Sequence, residues 1–184
     1  RVSVQHWHVS SYLDLERFWG RERIDDFIKK GADNHFRFFF VQTGFQHESN
    51  GRSGDSSRST NFLYIKPIYI AYSKNTKLGI MVAPKIWTYI ANEDENNPDL
   101  KDYRGYFDLE IKLGQADGFV LGSHFRWAKE GGSMELDLTY PLSQSIFENL
   151  DLYFQVQYVN ALAEDLIDYR QRREAFRLGF AIVR

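Results

Sequence analysis

The sequence predicts an all-β chain, an antiparallel sheet rolled into a transmembrane β-barrel. Three observations lead there. Apolar and polar residues alternate with a period of two in run after run. Short turns and longer polar links largely take turns between those runs, as they do when one rim of a barrel carries tight turns and the other carries loops. No stretch of about 18 apolar residues is present, so no membrane helix is expected, yet 16% of the residues are aromatic and they are spread evenly.

Residues 1–13, RVSVQHWHVSSYL, read as a first strand, with His6 and His8 on one face. Two histidines with no third ligand nearby do not make a metal site. Residues 14–33 have helical spacing instead, with Leu15, Phe18 and Trp19 followed by Ile24, Phe27 and Ile28, and predict a helical insertion. The next strand, 36–49, puts Phe39, Val41, Thr43, Phe45, His47 and Ser49 on its more apolar face. Strand 61–72 carries Asn61, Leu63, Ile65 and Tyr69 in phase, and strand 77–90 sets Lys85 opposite Leu78, Ile80, Val82 and Ile86.

The clearest alternation is in 103–113, where Tyr103, Gly105, Phe107, Leu109, Ile111 and Leu113 interleave with Arg104, Asp108, Glu110 and Lys112. Strands 118–128, 133–142, 149–159 and 173–183 repeat it, for a total of about nine. The turns are SKNT (73–76), GQAD (114–117) and KEGG (129–132), and the polar links are 92–102 and 160–172. Successive strands joined this way form an antiparallel meander. A soluble sandwich also alternates, with its apolar face inward. Here the polar faces mix both signs of charge, which neutralise one another inside a small lumen, while Leu- and Phe-rich faces with Tyr or Trp near strand ends suit lipid.

The 184 residues fit one domain, 1–184. Lys and Arg number 23 against 25 Asp and Glu, so there is no basic footprint for nucleic acid. The chain has no Cys, which excludes disulfides and thiolate metal sites. It opens directly at Arg1 without a signal peptide, as a mature protein or a fragment does.

Chemistry concentrates in residues 45–61, FQHESNGRSGDSSRSTN. His47 and Ser49 share a strand face, and Asn61 comes beside His47 if 50–60 is the loop between neighbouring strands. Ser is a weak nucleophile until a His takes its proton, and the His needs a partner on its other nitrogen. Asn can accept that bond without placing a charge on a lipid-facing wall. Gly51 could offer a backbone N–H to an oxyanion. A bare His-x-Ser is common, and Ser-rich loops usually exist because they turn well.

The whole string carries more weight. His47, Ser49, Asn50, Gly51, Arg52, Ser53, Ser57, Arg58, Ser59 and Asn61 match the active-site signature of the bacterial outer membrane phospholipase A family, and LYIKPIYIAY, ENNPDLKDYRGYFDLEIKLG, MELDLTYPLS and EDLIDY extend the resemblance over roughly 37–184. The resemblance implies a twelve-stranded outer-membrane barrel, with about three strands expected before Arg1. It implies a calcium-dependent lipase acting on phospholipids and lysophospholipids, active as a homodimer at the outer leaflet. It implies Ser49 as nucleophile, His47 as general base and acid, Asn61 as the orienting member and Gly51 as the oxyanion donor. It implies calcium ligands at Arg52, through the main-chain carbonyl, and at Ser57, through the hydroxyl. One departure is Gly54, where the family motif can carry an acid; the acid here is Asp55, and Asp94 or Glu95 are alternative sources. The rival reading is an idle, porin-like or structural barrel.

Overall fold

Each alternating run pairs with the next. A computed structural model of the chain describes residues 5–11, 35–91, 97–115, 117–142 and 152–181. The strands are β1 (Gln5–Ser11), β2 (His35–Ser49), β3 (Ser59–Ser73), β4 (Leu78–Tyr89), β5 (Phe107–Gln115), β6 (Val120–Ala128), β7 (Gly131–Pro141), β8 (Tyr153–Leu162) and β9 (Arg172–Ala181). They form a single nine-stranded antiparallel sheet in sequence order, with β1 and β9 as its outer strands. This is the predicted meander, and the described residues hold nine strands, as expected. The helical insertion expected at 14–33 lies outside the described residues.

Which face meets solvent decides between sandwich and barrel. Along β2 the odd residues from Phe39 to Phe45 are exposed, and Gln46 and Glu48 are buried. Phe39 is 66% exposed and Phe176 67%, and Leu63, Ile65, Ile86, Leu121 and Trp127 are exposed as well. Apolar out and polar in is the inverse of a soluble sandwich and is the arrangement of a membrane barrel. Rings group on this outer face, Phe107 with Trp127 at 5.6 Å and Phe119 with Tyr140 at 4.6 Å between centroids.

The inward face neutralises itself. Lys66 Nζ meets Glu110 Oε2 at 2.6 Å, His124 Nδ1 lies 3.2 Å from Asp108 Oδ2, and Gln155 and Gln157 both donate to Asp137 Oδ1 at 2.9 Å. Lys85 donates to Gln46 Oε1 at 2.9 Å and stands over the rings of Phe62, Tyr64 and Trp87. Opposite charges and cation–π contacts offset what isolated buried ions would cost.

Two expectations are corrected. Residues 103 and 104 do not begin a strand: Leu100–Arg104 is a short helix, α1, and β5 starts at Phe107. Gly105 ends the helix at φ 73°, and a Cβ there would sit 2.1 Å from the Trp127 carbonyl oxygen, so the chain turns only because this residue is glycine. The 160–172 link is also not simply polar. β8 runs on to Leu162, and Ala163, Leu166 and Tyr169 bury themselves against Leu100 of α1. The Tyr169 hydroxyl donates to Asp99 Oδ1, and Arg170 adds two further donors to the same carboxylate. Arg170 first, and then Tyr169, hold the Asp99 carboxyl below its ordinary range. These two connections pack together beside the end of β2 that carries Ser49.

Candidate active site

β2 ends and β3 begins on either side of the loop 50–58, and their register pairs His47 with Asn61 and Ser49 with Ser59. The cross-strand position predicted for Asn61 is therefore the observed one. His47 Nδ1 lies 2.6 Å from Asn61 Oδ1. Asn61 Nδ2 donates to the Ala91 carbonyl at 3.2 Å, which fixes the amide orientation and leaves oxygen facing the ring. An amide oxygen only accepts, so the proton sits on Nδ1 and the lone pair on Nε2. That is the tautomer a general base needs toward a serine on the same strand face.

Gly51 N donates to Ser49 Oγ at 3.2 Å, so the amide expected to receive an oxyanion already points at the oxygen expected to attack. Gly51 has φ 65°, a left-handed conformation that a Cβ would disfavour by about 1 kcal/mol. His47 and Ser49 are half-buried on the outward face. No hydrogen bond between them is found among the described residues; such bonds are often long before substrate arrives.

The loop itself is tight. Its centre is a 3-10 turn, Gly54–Ser56, closed by Ser57 N donating to the Gly54 carbonyl at 2.9 Å. Gly54 has φ 63° with open space where a Cβ would stand. Glycine thus relieves backbone strain at the position where the resemblance allowed an acid, and only strain, not a clash, opposes a side chain there. Arg52 and Ser57 fall on either side of this turn. Their expected donors, a carbonyl and a hydroxyl, are hard neutral oxygens, which suits calcium. Two such donors leave most of a six- to eight-oxygen shell to water or other groups. Among the described residues no cluster of three His, Asp or Glu is placed to hold a metal. Asp94 and Glu95 lie outside the described residues, and His6 and His8 are on β1, of which only the backbone pairing is described.

A cavity of about 530 Å³ opens beside Ser49, with Asn50 and Arg52 on one wall and Glu164, Asp165 and Asp168 on another. Asp165 pairs with Arg173 at 2.7 Å. Glu164 pairs with Arg177, and Arg52 and Arg173 line the same cavity, so the acids of this wall are largely neutralised. Behind the same strand end, Arg104 binds Glu48 through two nitrogens at 2.7 and 3.1 Å and the Ala163 carbonyl at 3.1 Å. Burial alone would lower the guanidinium; the facing Glu48 carboxylate reverses that and raises it.

Residues 27–182 match the family model described as phospholipase A1. The chain belongs to the phospholipase A1 family. A phospholipase A1 of Escherichia coli (strain K12) is 35% identical over 140 residues, covering 76% of this chain and 44% of the relative. One of Salmonella typhimurium is 36% identical over 141 residues, again 76% and 44%. The chain thus spans less than half the length of these phospholipase A1 relatives. Among solved structures, the outer membrane phospholipase A of Escherichia coli superposes with a TM-score of 0.63 at 30% identity, covering 78% of this chain and 53% of that one. The Salmonella typhi outer membrane phospholipase, a dimer with bound calcium, gives 0.64 at 29% identity, covering 78% and 52%. These structural matches show the β-barrel fold.

Residue-by-residue reading assigned no role to Asn50, Ala91 or Arg104. Asn50 stood inside the matched string, and an Asn two residues before a loop amide is the mark of an Asx turn. Arg104 carried no such mark, because its role depends on two connections meeting in space.

Proposed function

We propose that the chain carries the catalytic apparatus of a calcium-dependent phospholipase of the Gram-negative outer membrane, which hydrolyses acyl esters of phospholipids and lysophospholipids. Residues 1–184 form a single barrel domain in this reading, and the active form is a homodimer with the site toward the outer leaflet. The dimer and the calcium come from the Salmonella typhi relative. The observation that carries the chemistry is the chain of contacts from Asn61 Oδ1 to His47 Nδ1 and from Gly51 N to Ser49 Oγ.

His47 Nε2 takes the Ser49 proton as Oγ attacks the ester carbonyl carbon. Asn61 holds the resulting imidazolium in place through Nδ1–H. The Gly51 N–H, already held toward Ser49 Oγ, then donates to the oxyanion, which develops on the oxygen two bonds from Oγ. Collapse expels the lysolipid alcohol, which takes the proton back from His47, and leaves an acyl-Ser49. Water, deprotonated by His47, then releases the fatty acid and restores the hydroxyl. Calcium would be held by the Arg52 carbonyl and the Ser57 hydroxyl, and when bound it supplies positive charge beside the oxyanion. An amide rather than a carboxylate as third member suits a site on an outer, lipid-facing wall, where an ionised group would be costly.

The test is ester hydrolysis in detergent with and without calcium. Ser49→Ala is expected to lower turnover by at least about a thousandfold while the barrel still migrates as a folded species on an unheated gel. Hydrolysis that survives in Ser49→Ala would overturn the assignment. An unaltered chain with no calcium-dependent hydrolysis would instead leave the idle, porin-like barrel.

A further inference from the structure

We infer that Asn50 is the positioning residue of the loop, setting the Gly51 amide, the Arg52 carbonyl and the Ser57 hydroxyl through its own side chain; the inference rests on the function proposed above. Asn50 is 6% exposed. Its Oδ1 accepts from the backbone amides of Arg52 and Arg58, each at 3.1 Å. Its Nδ2 donates to the Ser56 carbonyl at 2.8 Å, and its own backbone amide donates to the Arg58 carbonyl at 3.0 Å. One side chain therefore ties together the outgoing limb of the loop, its 3-10 turn and its return into β3.

Each functional group expected on the loop is adjacent to one of these ties. Gly51 lies between Asn50, whose backbone is held by Arg58, and Arg52, whose amide is held by Asn50 Oδ1. The direction of the Gly51 N–H toward Ser49 is thereby fixed at both ends. The Arg52 carbonyl belongs to the residue whose amide Asn50 binds. Ser57 lies between Ser56 and Arg58, both bound by Asn50, and Arg58 Nη1 also donates to the Ser57 carbonyl at 2.8 Å.

The residue type follows from the bonds. The bonds call for an acceptor that serves two amides and, on a separate atom, a donor that serves a carbonyl; a short side-chain amide provides both, whereas a hydroxyl would have to make all three bonds through one oxygen. Asp would keep the two accepted bonds but would set a carboxylate oxygen against the Ser56 carbonyl. Ala would keep none. Asn50 touches neither the ester nor the metal; it acts through the three groups it orients, as partners of metal ligands do elsewhere.

The experiment separates positioning from mere folding. Calcium affinity is measured by titration calorimetry in a Ser49→Ala background, where no turnover occurs, and kcat and KM are measured with Ser49 present. Asn50→Ala is expected to weaken calcium binding by about 10–100-fold and to lower kcat by a similar factor, with KM for a short-chain ester nearly unchanged. Asn50→Asp, which keeps the two amide bonds, should fall between Asn50→Ala and the unaltered chain. Folding is followed by gel mobility, and affinities are expressed per folded molecule. Unchanged calcium affinity and kcat in folded Asn50→Ala would overturn the inference. So would activity that falls only in step with the folded fraction. An unaltered chain that binds no calcium overturns this inference together with the proposed function, whereas normal binding in Asn50→Ala overturns this inference alone.

Discussion

The last four residues of β2 place two environments back to back. His47 and Ser49 face outward, half-buried, among exposed apolar neighbours. Gln46 and Glu48 face inward, buried, against Lys85 and Arg104. Outside, the proposed chemistry uses neutral groups: an imidazole, a hydroxyl, an amide and backbone N–H. Inside, Glu48 is paired with Arg104, and Lys85 donates to Gln46 while standing over aromatic rings. The pleat makes this possible, because successive side chains point to opposite faces. A strand can thus carry reactivity on one side while the other side holds its backbone still. Stability and activity should therefore separate by residue parity.

The strongest way to break that division is at Glu48. Removing one member of a buried ion pair leaves its partner uncompensated, at a cost of about 3–5 kcal/mol. Glu48→Ala should lower unfolding stability by about that amount in a urea titration, because Arg104 keeps a buried charge. The double variant Glu48→Leu with Arg104→Met should recover much of the loss, since an apolar replacement removes both charges together. Ser49→Ala, one residue further on, should stay within about 0.5 kcal/mol of the unaltered chain. Equal destabilisation by the two single variants would sink the division.

Asn61 sharpens the comparison on the catalytic side. Asn61→Ala removes the acceptor that holds the His47 proton on Nδ1, and is expected to cost about a hundredfold or more in kcat, within the range that a positioned acid–base group contributes. Its stability cost should be about 1 kcal/mol, the usual net worth of a hydrogen bond. Asn61→Asp keeps an acceptor and should retain more activity than Asn61→Ala at neutral pH. A stability loss in Asn61→Ala as large as that of Glu48→Ala would show that the outer face is also structural.

The two faces differ in how far the sequence reveals them. The outward residues were legible because lipid imposes a period of two over long runs, and strand register then brings Asn61 to His47 without further information. The proposed catalytic string was legible because the whole run from His47 to Asn61 resembles a family signature; a bare His-x-Ser would not have marked it. Arg104 was not. It occupies a five-residue helix, too short to display a helical period, inside a run whose apolar residues happen to alternate. Its partners, Glu48 and the Ala163 carbonyl, come from strands and loops 56 and 59 residues away. Leu166 and Tyr169 likewise look like isolated apolar residues in a polar link until α1 is brought against them.

The smallest expected effect tests the edge of the inward region. Asp99 is bound by Arg170 and Tyr169, which lower its carboxyl below the ordinary value. A depressed acid contributes stability that is fully present above its unfolded pKa of about 4 and is lost as pH falls through the lower, folded value. The contact between the β4–β5 and β8–β9 connections should therefore loosen only in acid, below about pH 4, with no change between pH 6 and 8. Asp99→Asn should remove that acid dependence. Because the Asp99–Arg170 pair is substantially exposed, the effect should weaken with salt and stay small. Hydrogen exchange of the 163–171 amides against pH reads it directly. If the Asp99→Asn change also slowed ester hydrolysis at neutral pH, the connections would be coupled to Ser49 through Arg104 and Glu48, and the separation of the two faces of β2 would be incomplete.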